Sequence, residues 1–278
     1  IGKVASGIAD DMLSTTIMAT KAKVIFAPAM NTNMYENPIV QQNIKKLKLL
    51  GYEFIEPAEG RLACGDVGKG KLESPEVIVD RVLMELNENK DLLNKKVVVT
   101  AGPTIAPIDP VRFITNRSSG KMGYAIAKEA RNRGADVTLI SGPTNLDAPK
   151  NINVINICTN EEMKEATMKA FKEADIVIKS AAVADYKPES YSEHKIKKGH
   201  GNWSLELTRD NDILMELGSL KENQILVGFA AESQNLKENA MIKMKKKNLD
   251  YIVANDITSK DTGFASEDNR VIIFSKDD

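Results

Sequence analysis

The residue types most suggestive of chemistry are concentrated in the segment 112–123. It combines the cations Arg112 and Lys121 with the Asn116 amide, serine hydroxyls and glycines, directly before a stretch 124–133 with helical periodicity. Backbone N–H groups at a helix start, together with nearby hydroxyl and ammonium groups, form a favourable site for phosphate. The segment matches neither the Walker A order nor the glycine order of dinucleotide sites. We therefore predict an anion site; the alternative is that the glycines only allow a helix to pack closely on a sheet.

Two groups of lysines could supply further positive charge. Lys195, Lys197 and Lys198 lie close together in the sequence, and Lys243 and Lys247 are four residues apart on a predicted helix. Residues with this spacing lie on one face of a helix, so the second pair can reach a common anion. Both groups also fit a simpler interpretation, in which the lysines form a solvated surface.

The second part of the chain alternates short apolar runs with segments of helical periodicity. The runs are typical of strands and lie at 97–100, 136–140, 153–157, 175–181, 224–230, 250–254 and 270–274. This alternation predicts a parallel sheet covered by helices, which is the α/β, Rossmann-like class. Asp185 follows one of these strands at the carboxyl edge, where open α/β sheets bind ligands. Thr159 and Glu162 form a capping box, and Cys158 before them is predicted to be a small buried side chain.

The first part of the chain has shorter apolar runs and longer connections. Runs at 23–28 and 52–55 predict short strands, and Pro38 and Pro75 each stand at the first turn of a predicted helix. A glycine-rich stretch between the two helices carries Cys64.

A polar segment at 87–96 separates the two parts and is typical of a domain boundary. We predict domains at 1–88 and 97–278, joined by a linker at 89–96.

Composition restricts the function further. Hydrophobic residues make up 42% of the chain, which is enough apolar material for globular cores. A formal net charge of −1 disfavours a dedicated nucleic-acid binder, and two cysteines cannot make a disulfide framework, which predicts a reducing, cytoplasmic compartment. No apolar run approaches the ~18 residues that span a bilayer. Because residue 1 is Ile and the last predicted strand is followed by no terminal helix, we also expect the chain to be truncated at both ends.

Several motifs occur in an order that matches one enzyme family. They lie at 109–112, 115–123, 181–186, 195–198, 227–232 and 248–256. This series resembles the ligase half of the bifunctional phosphopantothenoylcysteine decarboxylase/phosphopantothenate-cysteine ligase family of coenzyme A biosynthesis. The segments 28–34 and 63–70 resemble the substrate-clamp motif and the active-site flap of its flavoprotein half. The resemblance implies a Rossmann-like ligase domain preceded by the C-terminal part of an α/β flavoprotein domain.

The ligase half of that family uses CTP. The carboxylate of 4′-phosphopantothenate attacks the α-phosphate of CTP, and cysteine then displaces CMP from the acyl-cytidylate. The resemblance implies that Lys195 acts in acyl-cytidylate formation, that Asn116 acts on the acyl-cytidylate, and that Arg112 holds the substrate; a surface salt bridge is the alternative for Arg112. A divalent cation, Mg²⁺, would accompany the triphosphate, with no protein ligands that the sequence identifies.

The same resemblance implies a set of CTP contacts. These are Lys179, Ser180, Ala181, Asp185, Lys195, Thr208, Arg209, Asp210, Asn211, Phe229, Lys243 and Lys247. Asp185 could accept a hydrogen bond from the exocyclic amine of cytosine, which would favour CTP over UTP. The segment 208–211 is predicted to start a helix; the family commonly has a proline there, and this chain lacks it.

The flavoprotein half of the family is an FMN-dependent decarboxylase. By resemblance, Cys64 is the flap cysteine that acts as proton donor, and Asn31 binds the substrate carboxylate. The family also uses a histidine base, whereas the two histidines of this chain, His194 and His200, lie in the ligase half and match no such position. We therefore predict that these 278 residues alone do not decarboxylate phosphopantothenoylcysteine. The resemblance further implies a homo-oligomer with ligase dimers, and a trimeric flavoprotein part if that part is intact.

Two other function classes remain open. One is a flavin-binding or assembly module whose ligase half is only a dimerising scaffold, and Lys195 argues against it. The other is a nucleotide-sugar or NAD oxidoreductase, which the missing glycine fingerprint disfavours.

Overall fold

The computed structural model describes residues 1–62, 65, 67–198, 201–232, 236–256 and 269–276. The chain divides into two compact units, Ile1–Glu88 and Asn89–Asp278, called below the N-terminal and the C-terminal unit. The segment 89–96, predicted as a linker, belongs to the C-terminal unit, where the Leu92 amide donates to the Arg133 carbonyl at 3.1 Å.

The N-terminal unit is built from short elements. They are α1 (Gly2–Ala5), α2 (Met12–Ala19), β1 (Ile25–Phe26), α3 (Thr32–Glu36), α4 (Pro38–Leu49), β2 (Glu53–Phe54), β3 (Ala58–Arg61), β4 (Val67–Lys71) and α5 (Pro75–Leu86). Pro38 and Pro75 stand at the predicted helix starts, and the caps Asn37 and Ser74 accept hydrogen bonds from the Ile39 and Val77 amides. Satisfied N-terminal amides and a fixed proline φ explain why both helices begin there.

A small aromatic core lies beside the pair of parallel strands β1 and β2. The rings of Phe26 and Phe54 stack with their centroids 5.0 Å apart, and Tyr52 lies 5.8 Å from Phe26. Leu47 of α4 is fully buried in the same cluster. The strands β3 and β4 form an antiparallel hairpin in the glycine-rich stretch, for which the sequence had not indicated strands.

The C-terminal unit carries the regular α/β pattern. Its elements are β5 (Lys96–Ala101), β6 (Ile105–Pro107), β7 (Phe113–Thr115), α6 (Lys121–Asn132), β8 (Asp136–Ser141), β9 (Asn153–Asn156), α7 (Asn160–Phe171), β10 (Ile176–Lys179), β11 (Tyr186–Pro188), β12 (Leu207–Arg209), α8 (Ile213–Leu220), β13 (Ile225–Glu232), α9 (Leu236–Lys246), β14 (Tyr251–Asp256) and β15 (Val271–Ser275). The predicted capping box is present at the start of α7, where Thr159 and Glu162 bond reciprocally.

One sheet orders these strands as β15-β14-β13-β10-β5-β8-β9. Neighbouring strands are parallel except for the antiparallel edge pair β14 and β15, so the α/β prediction is confirmed with one antiparallel edge that the sequence did not indicate. The two short pairs β6–β7 and β11–β12 are antiparallel hairpins outside this sheet.

Both faces of the sheet are buried at its central strands, because the apolar residues of these strands alternate between the faces, whereas Val271, Ile272 and Ile273 of the edge strand β15 are exposed. Val98 and Val177 belong to one cluster with residues of α7, α8 and α9, whereas Val97 and Val99 belong to another with Tyr124 of α6. The sheet is therefore a rigid platform with helices on both sides.

Helix α6 begins at Lys121, earlier than the sequence indicated, and Gly123 lies in its first turn. A Cβ atom on Gly123 would lie 2.5 Å from the Cβ of Ala101, so this glycine allows close packing of helix on sheet. Gly120 has a different reason, since it is the N-cap residue and has a left-handed φ of 77°. Close packing of helix on sheet thus explains Gly123, whereas Gly120 is needed for its left-handed φ and for its close approach to Thr144.

Among the described residues, no helix has the length and apolar character needed to cross a bilayer.

Candidate functional site

A cleft of about 1030 Å³ opens in the C-terminal unit where β5, β10 and β13 end. Its lining includes six of the predicted site residues, which are Asn116, Ser180, Ala181, Asp185, Phe229 and Lys243. The cleft therefore lies at the carboxyl edge of a parallel sheet, where such folds bind ligands.

The start of α6 forms one wall of the cleft. The Gly120 amide lies 3.4 Å from Ser118 Oγ, and the Lys121 amide lies 3.5 Å from Ser119 Oγ. Because the N-cap is a glycine, no side chain of the cap occupies the helix start. The described lining includes four cations, Arg117, Lys121, Lys128 and Lys243, against two acids, Asp147 and Asp185. Such a surface favours an anionic ligand.

The opposite wall is the loop that follows β10. Asn116 Nδ2 donates to the carbonyls of Ala182, at 3.3 Å, and of Val183, at 3.0 Å. The Ala184 amide donates to Thr104 Oγ1 at 3.3 Å, and the Asp210 amide donates to the Asp185 carbonyl at 2.9 Å. Asn116 is thus bound across the cleft to the loop that presents Asp185.

Lys243 and Lys247 have different surroundings. Lys243 lines the cleft and its Nζ donates to the Phe229 carbonyl at 2.9 Å. Lys247 does not line the cleft; its Nζ pairs with Asp212 at 2.8 Å. Lys245 and Lys246 are exposed.

Asp212 is a charged residue of this region that the sequence analysis missed. We expected a helix to start within 208–211, but Thr208 and Arg209 lie in β12, and Asp212 is the N-cap residue of α8. Asp210 pairs with Lys187 at 3.0 Å, and the Asn211 side chain donates to Glu161 at 2.7 Å. An aspartate directly before an apolar helical run is an N-cap pattern that could have identified Asp212.

Lys179 lies beneath the cleft and does not line it. We expected its side chain in the base and ribose pocket, but it is only 7% exposed and its Nζ lies 3.9 Å from Met163 Sδ. Its side chain points to the face of the sheet covered by α7, because side chains alternate along the strand and Ile178 before it points to the other face. Burial lowers the pKa of Lys179 to about 7, partly opposed by the negative charge of Asp212.

Arg112 belongs to a second polar cluster, at the turn between β6 and β7. Its guanidinium pairs with the buried Asp109 carboxylate at 3.0 Å and donates to the Ile196 carbonyl at 3.1 Å. Asp109 also accepts a hydrogen bond from the Ile196 amide at 3.1 Å. Burial acts to raise the pKa of Asp109, but the hydrogen bonds from the backbone and Arg112 hold it below its usual range.

The lysine segment is connected to this cluster through its backbone. Lys195, Lys197 and Lys198 are exposed and do not line the cleft, while Ile196 between them is bound to Asp109 and Arg112. The structure thus brings Arg112 and the Lys195 segment together.

In the N-terminal unit, Asn31 is the N-cap residue of α3 and accepts from the Asn33 amide at 2.8 Å. The clamp segment touches β4, because a Cβ on Gly68 would lie 2.8 Å from Thr32 Oγ1, and the Met30 amide donates to the Gly70 carbonyl at 2.9 Å. Cys64 lies outside the described residues.

The prediction of a buried Cys158 is wrong, since this thiol is exposed. Ile157 before it points into the core, so the next residue of the extended chain points outward.

A groove of about 510 Å³ in the N-terminal unit offers no cation to a flavin phosphate. It is lined by Met12, Thr15, Thr16, Ala19 and Thr20, none of which is cationic. The Thr15 and Thr16 hydroxyls donate to backbone carbonyls of the same segment. Within the described ranges there is also no cluster of three or more metal-binding side chains, so ligands for Mg²⁺ stay unassigned.

Comparison with known proteins decides the family. Residues 1–87 match the flavoprotein family, and residues 92–278 match the family described as DNA/pantothenate metabolism flavoprotein C-terminal domain. The chain is 53% identical to the coenzyme A biosynthesis bifunctional protein CoaBC of Bacillus subtilis (strain 168), over 100% of this chain and 69% of that relative. The chain belongs to the CoaBC family. The family resemblance and the bifunctional ligase and decarboxylase class inferred from the motifs are thereby confirmed.

Two further matches extend this result. The chain is 46% identical to a protein named cysteine/cysteine sulfinic acid decarboxylase, from an unknown prokaryotic organism, over 99% of this chain and 79% of that relative. The crystal structure of the C-terminal domain of a CoaBC protein superposes with a TM-score of 0.58 at 44% identity, covering 68% of this chain and 85% of that one.

Proposed function

We propose that the C-terminal unit ligates cysteine to 4′-phosphopantothenate with CTP, through an acyl-cytidylate. The observation that supports this most is the cleft itself, where Asn116, Asp185 and Lys243 meet the start of α6 in a mainly cationic lining. Both half-reactions develop negative charge on oxygen atoms, and fixed cations and N–H groups stabilise such charge.

Each cleft residue has a role that its surroundings allow. The phosphates would lie against the start of α6 and Lys243, and the Asp185 carboxylate would accept a hydrogen bond from the cytosine amine. Ser180, Ala181 and Phe229 would line the base and ribose pocket. Thr208, Arg209, Asp210 and Asn211 remain proposed contacts, although they lie outside the cleft lining.

The Arg112 cluster would supply the second substrate site. Arg112 is 39% exposed, so it can hold a phosphate or carboxylate while it stays paired with Asp109. Lys195 lies one residue from Ile196, which is anchored to this cluster, and its exposed ammonium could approach the α-phosphate of CTP. Asn116, bound to the carbonyls of the opposite wall, would orient the acyl-cytidylate.

Mg²⁺ would enter with the triphosphate and offset its negative charge; no side chain in the described ranges is assigned to hold it. FMN would serve the flavoprotein domain of the family. We propose a domain boundary after residue 88, a cytoplasmic location, and assembly through ligase dimers.

The direct test is pyrophosphate release from CTP and 4′-phosphopantothenate, measured with and without cysteine. Release without cysteine is expected, because acyl-cytidylate formation precedes cysteine attack. Equal release with ATP in place of CTP would contradict the role proposed for Asp185. Failure of CTP to support any release would contradict the ligase itself.

A second test separates the half-reactions. Asn116→Asp is expected to let the acyl-cytidylate accumulate. The amide that orients this intermediate is replaced by a carboxylate, whose negative charge repels the phosphate of the intermediate. The matched control is Asn132→Asp, at the opposite end of α6. Mass spectrometry of the quenched reaction measures the intermediate. Normal turnover in Asn116→Asp, without accumulation of the acyl-cytidylate, would show that Asn116 takes no part in the mechanism.

A further inference from the structure

Thr104 is a fully buried hydroxyl residue in the connection between β5 and β6, and the proposed chemistry does not use it. Its Oγ1 accepts a hydrogen bond from the Ala184 amide at 3.3 Å. A hydroxyl that is removed from water loses its hydrogen bonds to the solvent, so a partner inside the protein must replace them. The partner of Thr104 lies one residue before Asp185, which lines the cleft.

The segment that leads to Asp185 depends on such hydrogen bonds for its position. Residues 180–184 have the sequence Ser-Ala-Ala-Val-Ala, whose side chains are small and offer little surface for packing. At the start of the segment, the Ala181 amide donates to Thr100 Oγ1 at 3.2 Å. The bond to Thr104 holds its end. Two buried threonine hydroxyls therefore fix this segment against the strand β5 and the connection that follows it.

The backbone of Asp185 is also bound on its far side. Its carbonyl accepts a hydrogen bond from the Asp210 amide at 2.9 Å, while its side chain is exposed in the cleft. A side chain that starts from a fixed backbone has only a few staggered conformations to adopt. The bonds before and after Asp185 therefore set where its carboxylate can lie.

Thr104 is connected to the Asn116 segment through a different atom. The Thr104 carbonyl accepts a hydrogen bond from Thr115 Oγ1 at 2.9 Å, and Thr115 directly precedes Asn116. The hydroxyl of Thr104 thus holds the segment of Asp185, and its carbonyl holds the segment of Asn116. A substitution that removes only the hydroxyl should therefore loosen Asp185 and leave Asn116 in place.

We propose that Thr104 is a positioning residue for nucleotide selection: its hydroxyl holds the Ala184 amide and thereby places the Asp185 carboxylate where it accepts a hydrogen bond from the amine of a cytosine base. Uracil has a carbonyl oxygen in place of this amine, and two facing acceptors repel each other, so the same placement disfavours UTP. The inference rests on the proposed function, because it takes a pyrimidine nucleotide as the occupant of the cleft.

The substitution Thr104→Val isolates the hydroxyl. Valine keeps the shape of the side chain and the backbone carbonyl, but it leaves the buried Ala184 amide without its acceptor. The base is remote from the reacting phosphate, so its contact with Asp185 is equal in the ground state and the transition state and contributes to KM. We expect the KM for CTP to rise about tenfold, while kcat with CTP and the KM for UTP stay within about twofold.

The test measures pyrophosphate release by the 278-residue chain with 4′-phosphopantothenate, Mg²⁺ and either CTP or UTP. Thr104→Ser keeps the hydroxyl and loses the methyl group, so it is expected to retain the wild-type preference for CTP even where its unfolding temperature falls. A threonine with a structural role alone would lose the preference in parallel with stability in both variants. Calorimetric unfolding of each variant distinguishes the two outcomes.

Thr167→Val is the matched control. Thr167 is fully buried in α7, and among the described residues its hydroxyl has no hydrogen-bond partner. The same chemical change at this position is expected to leave both KM values as in the wild type. Thr104→Ala removes the Thr104 hydroxyl with a smaller side chain and gives the same readout if the valine variant does not fold.

A double variant tests whether Thr104 acts through Asp185. If it does, Thr104→Val combined with Asp185→Ala raises the KM for CTP no further than Asp185→Ala alone. A further tenfold rise, written as an approximate factor of about ten, would show that the two residues act independently and would overturn the proposal.

The outcomes separate this proposal from the proposed function. If Asp185→Ala lowers the preference for CTP but Thr104→Val and Thr104→Ala preserve it, the proposal is overturned and the role of Asp185 stands. If the wild type uses CTP and UTP equally, or Asp185→Ala leaves the preference unchanged, the role of Asp185 falls together with this proposal. Absence of pyrophosphate release with CTP would overturn the ligase as well.

Discussion

The two units of the chain organise their chemistry in different ways. In the C-terminal unit, residues separated by more than a hundred positions, such as Asn116 and Lys243, line one cleft because parallel strands end at one edge. In the N-terminal unit, the strands β1 and β2 have two residues each, and Asn31 lies in the connection after β1, as the N-cap residue of α3. The long parallel sheet thus brings candidate site residues together at its strand ends, whereas in the unit with short strands they lie in connecting segments.

The two units also differ in how they are stabilised. The C-terminal unit has fully buried branched residues on both faces of its sheet, such as Val99 and Leu226. The N-terminal unit exposes 87% of Met12 and 81% of Leu49, and an ion network from Arg81 to Glu53 and Glu85, each at 2.8 Å, joins α5 to its neighbours. We therefore expect the elements that form the cleft to be more stable against unfolding than the clamp segment 28–34.

The largest expected effect is a difference in activity between the units. The 278-residue chain, supplied with both sets of substrates, FMN and Mg²⁺, is expected to release pyrophosphate from CTP but no CO₂ from phosphopantothenoylcysteine. The reason is that its two histidines both lie in the C-terminal unit and match no flavoprotein base. A trapped-CO₂ assay checks this, and CO₂ above the level of heat-denatured protein would refute it.

Lys195→Gln should remove most of the ligase activity. Loss of a cation that offsets charge at the α-phosphate is expected to slow pyrophosphate release by about a hundredfold or more. Lys246→Gln, an exposed lysine outside the cleft lining, is the matched control and should retain wild-type rates. Stopped-flow detection of pyrophosphate measures both, and equal rates would show that Lys195 takes no part.

Two glycines test the stability of each unit separately. A Cβ on Gly218 would lie 1.9 Å from the Lys247 carbonyl oxygen, and one on Gly70 would lie 2.1 Å from the Met30 carbonyl oxygen. Each change to Ala is expected to cost about 1 to 3 kcal/mol through overpacking. Gly218→Ala should lower the unfolding temperature of the C-terminal unit and weaken CTP binding, whereas Gly70→Ala should spare the ligase reaction.

Gly2→Ala is the control for this pair, because nothing lies within 4 Å of the added Cβ. Differential scanning calorimetry with parallel ligase assays follows the three variants. Loss of ligase activity in Gly70→Ala would mean that the units do not respond independently.

The smallest expected effect concerns acid stability of the C-terminal unit. Asp250 accepts hydrogen bonds from the Leu226 amide at 2.8 Å and from Lys221 at 3.0 Å. Burial acts to raise the pKa of Asp250, but these bonds hold it below its ordinary value. Its stabilisation is therefore present above the unfolded-state pKa of about 3.9 and is lost as the pH falls through the folded-state value.

Asp250→Asn is expected to reduce the free energy of unfolding by roughly 1 to 2 kcal/mol at pH 7 and to reduce its fall on acidification. Urea titrations at pH 7 and below pH 4 measure both quantities, with the exposed Asp136→Asn as control. An unchanged pH dependence in Asp250→Asn would assign the acid sensitivity to other carboxylates.

The sequence predicted the strands of the large sheet because their apolar runs are buried on both faces and contrast with the polar connections. It did not indicate the hairpins β6–β7 and β11–β12, whose strands have three residues each and too little periodicity. The cleft residues Asn116 and Asp185 could be chosen in advance because glycine turns and strand ends mark them.

Burial of charged residues was harder to predict. Lys179 is the last residue of β10, and the face of the sheet to which this residue points decides whether its side chain is buried. Asp212 was missed because the helix start was placed a few residues too early. Cys158 was predicted to be buried but is exposed, because side chains alternate along the extended chain and Ile157 is the residue that points into the core.

The buried carboxylate of Asp109 restricts how the chain around Lys195 can vary in length. The Ser192 amide donates to the Ile108 carbonyl at 3.0 Å, and the Ile196 amide donates to the Asp109 carboxylate at 3.1 Å. Both ends of the short loop 193–195 are therefore held by the turn between β6 and β7. Insertions or deletions inside 193–195 would shift Lys195 relative to Arg112 and should be poorly tolerated. The fold therefore sets the spacing between Lys195 and Arg112 through the length of this loop.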